Sequence, residues 1–191
     1  KRVFINNGIS DGDAEKVKYG DIDTIIILPL FLNLQYIKIY DSSVNQIKVP
    51  EVISSLEELE IKGPNNISDV SFLKNLPHIK QLYLDLASTN STVLNVGENI
   101  DLEEICVSGN IKSFEGLDVC KNLTAITLRD LPNVDIIASQ IPGTVRQLAI
   151  AHCKNVTISI VEMLAEQINK YTLPAILYFV MKMLKIMVIG N

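Results

Sequence analysis

Leu56-Glu57-Glu58-Leu59-Glu60-Ile61-Lys62 places aliphatic side chains at its first, fourth and sixth positions with charged residues between them. Ile79-Lys80-Gln81-Leu82-Tyr83-Leu84-Asp85 does the same 23 residues later. The closing alternation of each stretch is that of a strand with one face buried and one face wet. The apolar pattern recurs at Leu34-Ile37-Ile39, Leu102-Ile105-Val107, Leu123-Ile126-Leu128 and Val145-Leu148-Ile150. Six matches therefore start at 34, 56, 79, 102, 123 and 145, separated by 22, 23, 23, 21 and 22 residues. A period of this length marks a repeat architecture in which each unit buries its apolar face only against its neighbours.

One short strand per repeat, always in the same direction, requires a crossover after each strand and a parallel neighbour. The segments between strands carry further apolar residues: Val44, Ile47 and Val49, then Ile67, Val70, Leu73 and Leu76, then Ile111, Phe114 and Leu117, then Val134, Ile136 and Ile137. These are expected to supply the other half of a continuous core.

The run from Leu59 through Gly63-Pro64-Asn65-Asn66-Ile67-Ser68-Asp69-Val70-Ser71-Phe72-Leu73 to Leu76, and the run Asn110-Ile111-Lys112-Ser113-Phe114-Glu115-Gly116-Leu117, resemble the leucine-rich repeat family. They are similar to the short 22-residue subtype of the type 1 phosphatase regulatory subunit and bacterial internalins. Ala151-His152-Cys153-Lys154-Asn155-Val156-Thr157 is similar to the cysteine-containing subtype. The resemblance implies an α/β fold, a right-handed parallel β-α superhelix curved around a concave parallel sheet. It also implies an Asn in the turn after each strand that bonds to free backbone groups. Asn110 fits that slot, which Ser42, Pro64, Ala87 and Leu131 fill in other repeats.

On this reading, residues 1–191 are a single repeat domain, with atypical N-terminal repeats or a cap in 1–33, regular repeats over 34–157 and a helix with a C-terminal repeat or cap in 158–191. Val3 to Asn7 is a candidate first strand, and Ile22-x-x-Ile25-x-Ile27 matches the template out of phase. Ile160, Val161, Leu164 and Ile168 have helical spacing. The segment from Leu173 to Ile189 is almost wholly apolar, but it is short for a membrane span and contains Lys182 and Lys185. It is expected to be a buried terminal element or a self-association surface rather than a transmembrane helix.

Composition narrows the function classes. The chain is 48 % hydrophobic and 20 % charged with a net charge of −5, which predicts a packed structure without a field for nucleic acid. Twenty-seven Ile and no Trp predict an aliphatic core. No glycine-rich phosphate loop is present, and neither the three cysteines nor the two histidines have metal-ligand spacing. No cofactor is expected. Cys106 with His152, or Glu58 with Glu104, would lie two repeats apart, about 10 Å, too far for nucleophile activation or an acid–base pair. Cys120 and Cys153 read as small core residues, Cys106 as an outward thiol.

The strand alternation names the outward residues: Tyr36, Lys38 and Tyr40, then Glu58, Glu60 and Lys62, then Gln81, Tyr83 and Asp85, then Glu104, Cys106 and Ser108, with Arg129 further along. Tyr36, Tyr40, Tyr83 and Arg129 are the expected anchors for another protein. Glu58, Glu60, Asp85 and Glu104 read as an acidic strip relieved by Lys62. The function expected is a non-enzymatic protein-binding module of regulator or adaptor type. A secreted or surface adhesion module and the substrate-recognition repeats of a larger enzyme are the alternatives. An odd cysteine count favours a reducing, cytoplasmic compartment. The sequons at Asn66, Asn90, Asn122 and Asn155 would suit the secreted or cell-surface alternative. The start at Lys1-Arg2-Val3 is expected to be a processing boundary.

Overall fold

The computed structural model describes residues 2–6, 23–27, 33–40, 44–63, 65–86, 92–132 and 141–153. Seven strands make one parallel sheet in the order β1 (Arg2–Asn6), β3 (Tyr36–Tyr40), β5 (Glu58–Ile61), β6 (Gln81–Leu86), β8 (Glu104–Gly109), β10 (Ala125–Arg129) and β11 (Gln147–Ala151). From β3 to β11 each strand pairs with the next in register at one repeat length, Ile37 opposite Leu59, Leu82, Ile105, Ile126 and Leu148 in turn. Val3 of β1 stands opposite Ile37.

The three motif residues of the first five matches are all buried, from Leu34, Ile37 and Ile39 through Leu123, Ile126 and Leu128. In the sixth, Val145, Leu148 and Ile150 are partly buried against the same cluster. The back supplies Val44, Ile47, Val49, Ile67, Val70, Leu73, Leu76, Ile111, Phe114 and Leu117, all buried. Val134, Ile136 and Ile137 lie outside the described residues.

The back of the solenoid overturns the α/β expectation. Among the described residues there is no α-helix: the molecule is a parallel β-solenoid whose crossovers are extended segments, turns and short 3-10 helices at Ser71–Asn75 and Leu117–Val119. Two further parallel pairs line the back, β2 (Thr24–Ile26) with β4 (Gln46–Lys48) and β7 (Thr92–Asn95) with β9 (Ile111–Glu115). The apolar spacing explains the difference. Ile67, Val70, Leu73 and Leu76 recur every third residue, the period of a 3-10 turn, and Ile47 with Val49 alternates as a strand does. Front strands about 4.8 Å apart also leave little width per coil, and an α-helix is about 10 Å across. Without helices, the helix-backed superhelix curving around a concave sheet loses its cause.

Ile25 and Ile27 are buried, and Ile25 lies in β2 on the back, so the out-of-phase template match belongs to the rear wall. The helix read from Ile160 to Ile168 and the apolar segment from Leu173 to Ile189 lie outside the described residues. Among the described residues no helix is long and apolar enough to cross a membrane.

Two backbone devices recur along the described coils. Where each strand begins, two consecutive amides donate to one carbonyl of the preceding coil: Glu57 and Glu58 to Gln35, Lys80 and Gln81 to Glu57, Glu103 and Glu104 to Lys80. Seven residues after the motif start, at the strand exit, the chain turns through a left-handed residue at Gly63 (φ 88°), Gly109 (φ 94°), Asp130 (φ 54°) and His152 (φ 55°). A turn asparagine that bonds to backbone groups is seen at Asn65. Its amide donates to the carbonyls of Gly63 (2.9 Å) and Asp85 (2.6 Å), and its oxygen accepts from Ile67 N–H (3.2 Å). Buried Asn99 braces the back likewise, donating to the carbonyls of Leu73 (3.0 Å) and Leu76 (2.7 Å).

Leu59→Ala is expected to cost about 2–5 kcal/mol, because the cavity opens inside a linear core shared by two neighbouring coils. Gly63→Ala, with open space around a new Cβ, should cost only the left-handed penalty of about 1–2 kcal/mol. Gly109→Ala should cost more, since its Cβ would stand 2.0 Å from the Leu86 carbonyl oxygen. Urea unfolding of the three variants checks the ranking.

Candidate functional site

Strand alternation puts every second side chain from β3 to β11 on the outer face of the sheet. Register then fixes which of them are neighbours. One rung carries Tyr36, Glu58, Gln81, Glu104, Ala125 and Gln147; the next carries Lys38, Glu60, Tyr83, Cys106, Thr127 and Ala149. Asp85, Ser108, Arg129 and Ala151 share a third. The predicted outward residues therefore do share one face.

Glu60 departs from the expected solvated acidic strip. It is 5 % exposed, the one buried carboxylate among the described residues. Its carboxylate accepts from Tyr36 Oη (2.8 Å), Tyr40 Oη (3.2 Å), Lys38 Nζ (2.8 Å) and Lys62 Nζ. Each donor occupies a site fixed by the repeat: Lys38 is its partner in the ladder, Tyr36 and Tyr40 flank Lys38 on the same face, and Lys62 follows two residues later. Burial alone would push the Glu60 carboxyl up. The hydrogen bonds from Lys38, Lys62 and Tyr36 outweigh it and hold the carboxyl at about 2. Burial together with the bond to Glu60 pushes the Tyr36 phenol up to about 12.

The aromatic rings cover the cations. Lys38 Nζ lies 4.7 Å from the Tyr40 ring centroid and Lys62 Nζ 5.9 Å from that of Tyr83. Tyr83 is pushed up to about 12 by burial and then by the negative charge of Glu104. Asp85 accepts from Ser108 Oγ at 2.9 Å, and Arg129 is exposed at the far side of the sheet. The Glu60 clamp was the feature sequence reasoning missed; the 22-residue step from Lys38 to Glu60 and the two-residue step to Lys62 place these residues side by side but do not report that they converge.

The remaining reactive side chains lie apart. Cys106 is half-buried on the front face, and burial pushes its thiol up. Cys120 is fully buried and pushed up by burial to about 11. Cys153 is part-buried against the core. His152 stands 3.3 Å from Asp130 of the preceding coil, and among the described residues no three His, Cys, Asp or Glu converge to hold a metal. A polar groove of about 590 Å³ runs along the strand-entry rim, lined among others by Gln35, Ser55, Glu57, His78, Lys80 and Asp101. Polar contacts join adjacent coils there, His78 Nδ1 to Asp101 (2.6 Å) and the ion pair of Lys80 with Glu57 (3.0 Å).

The clamp makes stability depend on acid in a specified window. Because the folded carboxyl lies at about 2 and the ordinary value is 4.5, Glu60 stabilises the fold fully above the ordinary value. That contribution, about 3 kcal/mol, disappears as pH falls from the ordinary value towards the folded one. Glu60→Gln should flatten the fall in unfolding midpoint across this window, and a slope identical to wild type would contradict the clamp.

Comparison of the chain with protein-family models, with curated proteins and with solved structures finds no match.

Proposed function

We propose that this protein is a non-enzymatic binding module that takes a partner protein on the open face of its seven-stranded sheet. The observation that carries the reading is the cluster of Tyr36, Lys38, Tyr40, Glu60, Lys62 and Tyr83 on that face. Its side chains hold one another through hydrogen bonds, an ion pair on each side of Glu60 and two cation–π contacts. Such a surface loses little side-chain freedom when a partner docks, and tyrosine and arginine are the residues that most often dominate interface energies. Reactive groups held within bonding distance of one another would favour an enzyme; the cysteines of this chain are instead pushed towards the unreactive thiol.

A regulator or adaptor working in a reducing compartment is the form of this reading that three free cysteines favour. Kinship with the short leucine-rich repeat proteins is proposed on the 22-residue period and the apolar motif. Their strand-borne face is where such solenoids present partner contacts.

Tyr83→Ala combined with Arg129→Ala removes two expected anchors without touching the donors to Glu60. Affinity capture with wild type and this double variant is expected to show partners retained by the first and lost by the second, at unchanged melting temperature. Partners that survive the double variant but are lost on substitution of back-surface residues such as Lys112 would place the binding surface elsewhere.

A further inference from the structure

The groove at the strand-entry rim is bordered by two rows of side chains that run across the coils. One row is the slot just before each motif start, filled by Asn33, Ser55, His78, Asp101, Asn122 and Thr144. Hydroxyls in that slot brace one coil on the coil before it: Ser55 Oγ donates to the Leu34 carbonyl (2.9 Å) and Thr144 Oγ1 to the Leu123 carbonyl (2.7 Å). On two consecutive coils the slot departs from this use. His78 and Asp101 bond to each other instead, Nδ1 to Oδ2 at 2.6 Å, and both line the groove. The second row, just after the motif start, adds Gln35, Glu57 and Lys80, the last two joined as an ion pair at 3.0 Å.

These pairs fix the side chains without exhausting them. Asp101 commits Oδ2, Glu57 commits Oε2, His78 commits Nδ1 and Lys80 commits one of its three protons. Those bonds do not consume the second oxygen of either acid, His78 Nε2 or the other ammonium protons. The Gln35 amide and the Ser54 hydroxyl line the same space. The four paired side chains are 37–46 % exposed, so a ligand in the groove reaches them. Side chains already held in place lose little freedom when it does.

The lining selects the class of ligand. Every lining side chain is polar, which leaves no wall for a hydrocarbon or for the apolar side chains of a peptide. Lys80 is held by Glu57, with the charges of Glu103 and Asp101 close by, so an anion is disfavoured. No three ligands converge for a metal among the described residues. A hydroxyl both donates and accepts, and a neutral chain of hydroxyls matches a lining that mixes carboxylates, amide, imidazole and ammonium. From the coil of Asn33 to that of Asp101 the groove crosses three inter-coil steps, about 14 Å, the reach of a short chain rather than of one ring. Its volume of about 590 Å³ lies within the range of ligand-binding clefts.

We infer that the groove binds a neutral oligosaccharide laid across the coils. Asp101 and Glu57 accept from its hydroxyls, and Lys80 and Gln35 donate to its oxygens. A neutral His78 ring that gives its Nδ1 proton to Asp101 accepts at Nε2. The site lies on the rim, uses neither Tyr83 nor Arg129 of the open face, and stands independently of the partner protein proposed there.

The test titrates the full chain with cellotetraose, maltotetraose and a released high-mannose N-glycan, and follows the imidazole signals by NMR. The chain has two histidines, so His78 and His152 are distinguished by substituting either one. At least one sugar is expected to move the His78 signal at low millimolar concentration and leave that of His152 in place. A response to the N-glycan alone marks glycoproteins as the source, and a response to a tetraose marks a polysaccharide. Glu57→Gln with Asp101→Asn should weaken the responding sugar about tenfold, and Tyr83→Ala with Arg129→Ala should leave it unchanged. The His78 shift in wild type decides the matter even if the rim variant fails to fold. No shift with any of the three sugars at about 10 mM, equal movement of both histidines, or undiminished affinity in a folded rim variant overturns the proposal. Tighter binding of tetraalanine than of the sugars would make this a peptide groove and overturn it as well.

Discussion

Everything in this molecule depends on stacking one aliphatic coil on the next at the spacing of a parallel ladder. A single coil of about 22 residues cannot enclose its own three inward side chains. Leu59 is buried because Ile37 and Leu82 lie on either side of it. Aliphatic burial at about 25 cal/mol per Å² thus accrues between coils rather than within them. The ladder fixes the separation, so each slot admits an Ile, Leu or Val, and a large aromatic ring is rarely accommodated; among the described residues Phe72 and Phe114 are the aromatic residues of the core. The absence of Trp and the abundance of Ile follow from that geometry.

The same constraint decides what the sequence could disclose. The inward triplets, the strand positions and the outward residues follow from a two-residue alternation repeated at a fixed period, and local sequence carries both. The back was harder to read because its shape depends on the third-residue spacing of Ile67, Val70, Leu73 and Leu76 and on the narrow width available per coil. Resemblance to a family whose crossovers can be helical pointed the other way. Left-handed strand exits were legible at Gly63 and Gly109, where glycine announces them. They were illegible at Asp130 and His152, which adopt the same conformation with a side chain. In the second repeat the bonding asparagine is Asn65, one position past the slot that the repeat pattern assigns.

Glu60 illustrates a limit of a different kind. Alternation correctly assigns it to the outer face, and an outward carboxylate is ordinarily solvated. Burial arises from neighbours on two other strand positions, Lys38 and Tyr36 on the preceding coil and Lys62 on its own, which close over it together with Tyr40. Period and alternation place these residues side by side. That four donors would converge on one carboxylate depends on side-chain length and rotamer, which no periodicity reports.

A buried carboxylate costs several kcal/mol to desolvate, and replacing such a network with apolar groups is often neutral or stabilising. Stability alone is therefore a weak reason for this chain to place an acid at the centre of its open sheet. The network has a second consequence. Glu60 holds the protons of Tyr36 and Tyr40 and the ammonium of Lys38, with the half-exposed Lys62 beside them, so that one acid fixes four donors on the open face. An apolar residue at position 60 would deprive those tyrosines and lysines of their shared acceptor. The arrangement of donors on that face is thus set by a side chain that is itself almost inaccessible.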